Sequence, residues 1–190
     1  MTIHQCAGHL PRLRLLAAGV AALSMTALPA QAAPPPAPWH ALFPPARTYP
    51  HGTHLLPVQT ATRADTLVDP TTADQVTRLG FVAGGVQVSN LPRHAVASVT
   101  VLVFRADRDA TTFLRQDQPS ALANPATPGT EAGGLGAGAR YVSGGCAGCG
   151  TGAPPLGILL MRRGTAVVQI LTQPPDHALA LRLGHAALRR

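Results

Sequence analysis

The chain has 190 residues, with 15 Arg, no Lys and 8 acidic residues, and a formal charge of +7 with His neutral. A content of 46% hydrophobic residues lets a chain of this length build a hydrophobic core without depending on disulfides. Only 4% of residues are aromatic and the Arg residues are scattered, which argues against a nucleic-acid binder; such a binder interleaves aromatics with its basic residues.

The first 32 residues read as an export signal. Arg12 and Arg14 make a basic start, the run from Leu15 to Leu28 is apolar and uncharged, and Ala30-Gln31-Ala32 places small residues where a signal peptidase reads them. Cleavage is expected between Ala32 and Ala33. The apolar run is shorter than the roughly 20 residues a spanning helix needs, and no later run reaches that length. The expectation is a secreted or extracytoplasmic protein, located in the cell envelope or beyond, with no membrane insertion once the signal is removed. Cys6 precedes the apolar run, so it is not placed to carry a lipid. From Ala33 on, 13 Arg face 8 acidic residues, a charge of +5 on about 158 residues, enough for one domain with its own core.

Residues 33–63 read as a proline-rich arm. Ala33-Pro34-Pro35-Pro36-Ala37-Pro38 favours extended backbone, and Pro44, Pro45, Pro50 and Pro57 oppose regular structure. Trp39 and Phe43 are apolar enough to dock on a domain. His40, His51 and His54 invite a metal reading, since imidazoles ligate zinc and copper. Two or three His on a loop, without a nearby Cys or carboxylate, are only part of a ligand set.

A single domain is expected over 64–190. Asp69-Pro70 is a helix start, with an N-cap followed by proline in the first turn, and Ala73, Val76 and Leu79 then fall near one face. Phe81–Ser89 reads as a strand whose Gly84-Gly85 pair marks a bulge, a bend or a close backbone approach. Asn90 to His94 turn the chain into Val96–Phe104, an unbroken run rich in β-branched residues and apolar on both faces, the pattern of a covered inner strand. Asp107 opens a second helix of about ten residues, with Ala110, Phe113 and Leu114 on its buried side.

Residues 124–138 are Gly, Ala and Pro without a periodic apolar pattern and are expected to form a mobile loop. The glycines from 133 to 138 lack the spacing and the strand-to-helix context of a dinucleotide fingerprint. Arg140 to Val142 make a short strand. Cys146-Ala147-Gly148-Cys149 are the two thiols left after signal removal and are expected to pair as a structural disulfide in an oxidising compartment. A redox-active pair usually opens a helix, and the glycines around these two and Pro154-Pro155 oppose one. Leu156–Met161 and Thr165–Leu171 form a hairpin around Arg162-Arg163-Gly164. Asp176 caps a last helix, buried along Leu179, Leu183 and Ala187, with Arg182, Arg189 and Arg190 exposed.

These elements define an α+β fold: an antiparallel sheet of four to five strands, two or three helices packed mainly on one face, and a hairpin-then-helix arrangement that occurs twice. A second apolar sheet face would need cover from the arm, a ligand or a homodimer partner. No catalytic residues, cofactor or metal site emerge: Ser98 and Ser143 lack a nucleophile-elbow context, and no metal set is complete. The reading is a small exported binding or interaction module without catalysis, whose partner is a protein or a small ligand. The alternatives are a thiol-disulfide protein using Cys146 and Cys149, and a metal-handling protein using His40, His51 and His54.

Overall fold

The computed structural model describes residues 38–116, 122–125, 130–146 and 154–189. Among the described residues, nine strands form one antiparallel sheet: β1 (His54–Leu55), β2 (Gln59–Ala61), β3 (Phe81–Asn90), β4 (Val96–Phe104), β5 (Leu122–Pro125), β6 (Thr130–Glu131), β7 (Arg140–Cys146), β8 (Leu156–Arg163) and β9 (Ala166–Gln173). The spatial order is β1-β3-β4-β9-β8-β7-β5, with β2 also on β3 and β6 also on β7. Three α-helices accompany it: α1 (Pro70–Arg78), α2 (Asp107–Gln116) and α3 (His177–Leu188).

The helix starts follow from the capping residues. Asp69 accepts the Thr72 amide at 3.1 Å and its hydroxyl at 2.7 Å, and Asp176 accepts the Leu179 amide at 2.8 Å. Each pairing satisfies donors that a helix start leaves free. The two long hairpins, β3–β4 and β8–β9, join edge to edge through β4 and β9, with Val99 opposite Ile170 and Val101 opposite Val168. Each hairpin is followed by its helix, so the repeated arrangement is present.

The sheet exceeds the expected four to five strands. The extra strands β1, β2, β5 and β6 are two to four residues long, too short to show the alternation by which strands are read. The helices also divide between the two faces instead of gathering on one. Leu102, Phe104, Ile158, Leu160 and Val167 pack with Ala73 and Val76 of α1 and Ala110, Phe113 and Leu114 of α2. Val99, Val101, Leu159, Met161, Val168 and Ile170 pack with Leu179, Ala180, Leu183 and Ala187 of α3. Both faces of β4, β8 and β9 are apolar, so cover on one side would leave the other wet.

Residues from the proline-rich segment complete that second cover. Leu42, Phe43 and Tyr49 are buried in the same cluster as α3, with Trp39 packed against it. The prolines do not keep this stretch off the sheet; they break it into 3-10 turns at Pro38–Leu42 and Ala46–Thr48 and the two edge strands β1 and β2. The β3–β4 pairing runs unbroken through Gly84 and Gly85, and its register shift lies between Phe81 and Ala83. These glycines serve close approach. A Cβ on Gly85 would stand 3.1 Å from the Trp39 ring and 3.3 Å from that of Phe43.

The expected mobile loop is held down in its second half. Ala132, Leu135 and Ala139 are buried, and the Ala132 amide donates to the Ala139 carbonyl at 3.0 Å. Gly134, Gly136 and Gly138 have φ of +80°, +95° and +80°, which folds the segment tightly enough to seat Leu135 against α3.

Candidate functional site

The three candidate histidines of the arm do not form a ligand set among the described residues. His40 is half-buried with its ring 4.0 Å from that of Trp39, while His51 is exposed in a turn and His54 is exposed on the edge strand β1. Among the described residues, no three His, Cys, Asp or Glu side chains gather to hold a metal ion. Cys146 ends β7, and Cys149 lies outside the described residues, as do Ala32 and Ala33 of the expected cleavage site. Ser98 and Ser143 lie within β4 and β7.

Two of the clefts among the described residues bring together side chains that sequence reasoning did not join. The first has a volume of about 390 Å³ and lies between the 3-10 turn at Pro38–Leu42 and the β8–β9 hairpin. Trp39, Ala41, Leu42, Val103, Arg163, Thr165 and Ala166 line it. Its geometry begins at Gly85: the missing side chain lets Trp39 and Phe43 lie on the sheet, their ring centroids 6.3 Å apart and edge-on. Gly164, at φ +56°, turns the hairpin at the other wall and leaves Arg163 exposed beside the indole. An indole, aliphatic walls and one guanidinium can hold an apolar body with a negative end.

The second cleft, about 530 Å³, runs between the 3-10 turn at Ala46–Thr48 and the C-terminal half of α3, lined by Pro45, Arg47, Thr48, Arg182, His185, Ala186 and Arg189. Sequence reasoning treated Arg182 and Arg189 as exposed helix residues and Arg47 as one scattered charge. Nothing in the sequence joins positions 47 and 182; the packing of the arm on α3 does.

Two tyrosines are buried in the core cluster on the α3 face of the sheet. Burial pushes the Tyr49 phenol from 10.0 up to about 12, and its hydroxyl has no hydrogen-bond partner among the described residues. Burial also raises Tyr141; a hydrogen bond with Thr172 lowers it and the Asp176 charge adds to the rise. The Tyr141 ring stacks 4.5 Å from His177. Around Tyr141 the polar groups are engaged in structure, since Asp176 caps α3 and its amide donates to the Thr172 hydroxyl at 3.0 Å.

Tyr49→Phe is therefore expected to stabilise the fold by about 1 kcal/mol at neutral pH, by removing a buried hydroxyl without a partner. The wild type keeps the phenol neutral in the folded state. That contribution is complete below pH 10 and is lost as pH rises through about 12. Chemical denaturation between pH 8 and 12 should show the wild type losing more stability than the variant. Parallel curves would count against burial of that hydroxyl.

Fold and clefts together define a small α+β domain: an antiparallel sheet covered on both faces, with two open clefts where the proline-broken segment meets the sheet and α3. No family model matches the chain, and no curated protein does. Among solved structures it is similar to the extracellular domain of PknH from Mycobacterium tuberculosis, with 12% identity and a TM-score of 0.45, over 72% of this chain and 83% of that one. Among the described residues, no helix is long and apolar enough to cross a membrane.

Proposed function

We propose that this protein is an exported binding module that recognises a small amphipathic ligand and performs no chemistry on it. The cleft at Trp39 is the observation that supports the reading. Its volume of about 390 Å³ falls within the range of small-ligand sites, its walls are mainly apolar, and its one charged group is Arg163. A cation and an indole lining one cleft can orient a ligand by its negative end. Neither Arg163 nor Thr165 has a base beside it among the residues that line the cleft, so the chemistry is that of recognition. Export rests on the basic start, the apolar run and the small residues at Ala30 and Ala32.

Trp39 is the only tryptophan, which supplies the test. The probe is 1-anilinonaphthalene-8-sulfonate, an aromatic body with one negative group. Its binding should quench Trp39 emission through energy transfer and saturate at one site. Ala41→Glu places a negative charge at an exposed position on the cleft wall. It should weaken binding about tenfold, a change of about 1.4 kcal/mol, while leaving the melting temperature unchanged. Equal affinity in the variant, or no quenching in the wild type, would remove the cleft as a ligand site.

A further inference from the structure

We infer that the groove between Ala46–Thr48 and α3 is an anion site for a phosphate-bearing ligand. The inference adds a second site to the binding module, and it rests on that reading only in taking the ligand to leave unchanged. Three guanidiniums, Arg47, Arg182 and Arg189, and the imidazole of His185 line the groove with the Thr48 hydroxyl, and no carboxylate does.

Arg63 pairs with Asp65, Arg108 with Asp109 and Arg162 with Asp107, whereas Arg47, Arg182 and Arg189 have no carboxylate partner among the described residues. A cation at the end of α3 answers the helix dipole, which explains Arg189, its C-cap, in part. It does not explain Arg47, which arrives from a different segment and raises the density of positive charge. Bringing like charges into one groove opposes folding, and an anion offsets that repulsion.

The chemistry selects phosphate. Guanidinium forks match its oxygens in pairs, and a phosphate offers more acceptor oxygens and more charge than a single carboxylate. The groove volume of about 530 Å³ leaves room beyond one phosphate for a second or for an ester. Pro45 and Ala186 supply apolar wall for the remainder of such a ligand.

The test uses the mature exported chain and inorganic pyrophosphate as the probe. Titration calorimetry at low ionic strength should show one site in the wild type, weakening as salt is raised. The double variant Arg47→Gln, Arg182→Gln changes two exposed side chains, so folding should be kept, and binding should fall about tenfold or more. Flotation with phosphatidylglycerol vesicles, compared with phosphatidylcholine alone, is run on both proteins. Vesicle capture lost in the double variant assigns the phosphate to a lipid headgroup. Pyrophosphate binding without vesicle capture assigns it to a soluble compound. Absence of both in the wild type, or equal binding by the double variant, overturns the inference and leaves the Trp39 cleft untouched. Release of orthophosphate during the titration would instead overturn the non-catalytic reading and leave the groove standing.

Discussion

Gly84→Ala is expected to destabilise the domain by about 3 kcal/mol, the upper end of ordinary overpacking, and to lower its melting temperature by roughly 6–12 °C. The added Cβ would collide with the backbone carbonyl oxygen of Val101 on the neighbouring strand and stand 2.8 Å from Leu67 Cδ1. A flexible side chain can move aside. A carbonyl inside the β3–β4 ladder moves only by disturbing the pairing of Gly84 with Leu102 and its neighbours. Leu102 is 1% exposed and packs against the helices of that face, so the disturbance reaches the core. Gly133→Ala is the matched control: nothing lies within 4 Å of its Cβ position, and its stability should stay within about 0.5 kcal/mol of wild type. Thermal unfolding of the two variants beside wild type decides the matter. A Gly84→Ala protein that melts within about 2 °C of wild type would show that the strands can separate freely there.

The legible parts of this fold are those where one residue pattern has one physical solution. Val96 to Phe104 form β4 because their β-branched run fits a pleated surface and both faces are covered. Asp69, Pro70 and Asp176 marked helix starts because unpaired amides need an acceptor. The glycine pair in β3 was legible as a feature but ambiguous in kind, since bulge and close approach use the same residue. What removed the ambiguity was Trp39, Phe43 and Leu67 resting on those positions, long-range contacts that no local pattern encodes.

The clefts were illegible for a related reason. Trp39 and Arg163 lie far apart in sequence, as do Arg47 and Arg182, and each reads singly as an ordinary surface or docking residue. Prolines at 44, 45, 50 and 57 read as an arm without regular structure because they remove donors and fix φ. They do not prevent burial of the residues between them, and Leu42, Phe43 and Tyr49 are buried. Of the three covers expected for the second apolar face, the arm, a ligand or a second copy, the arm is the one that packs there together with α3. A cover and a recognition surface thus come from one stretch of chain.

Leu135→Ala carries the same lesson into the segment read as a mobile loop, and it is expected to cost 2–5 kcal/mol, the range for truncating a buried leucine. Leu135 is fully buried although glycines flank it on both sides. Its seat is Gly184 of α3, where a Cβ would stand 3.1 Å from Leu135 Cδ1 and 2.9 Å from Leu159 Cδ2. The absent side chain at Gly184 brings helix, sheet and loop together, and Leu135 fills the space. Truncation leaves a void that the β-turns of the loop cannot collapse into, because Ala132 and Ala139 are already tied backbone to backbone. The loop also lies against the groove side of α3: a Cβ on Gly134 would stand 3.2 Å from His185 Cε1. Denaturant melts should therefore show a large stability loss for Leu135→Ala, and amide exchange should accelerate at Ala132 and Ala139 more than at β4. A loss below about 1 kcal/mol, with exchange unchanged, would mean that the leucine is carried by the loop without anchoring it.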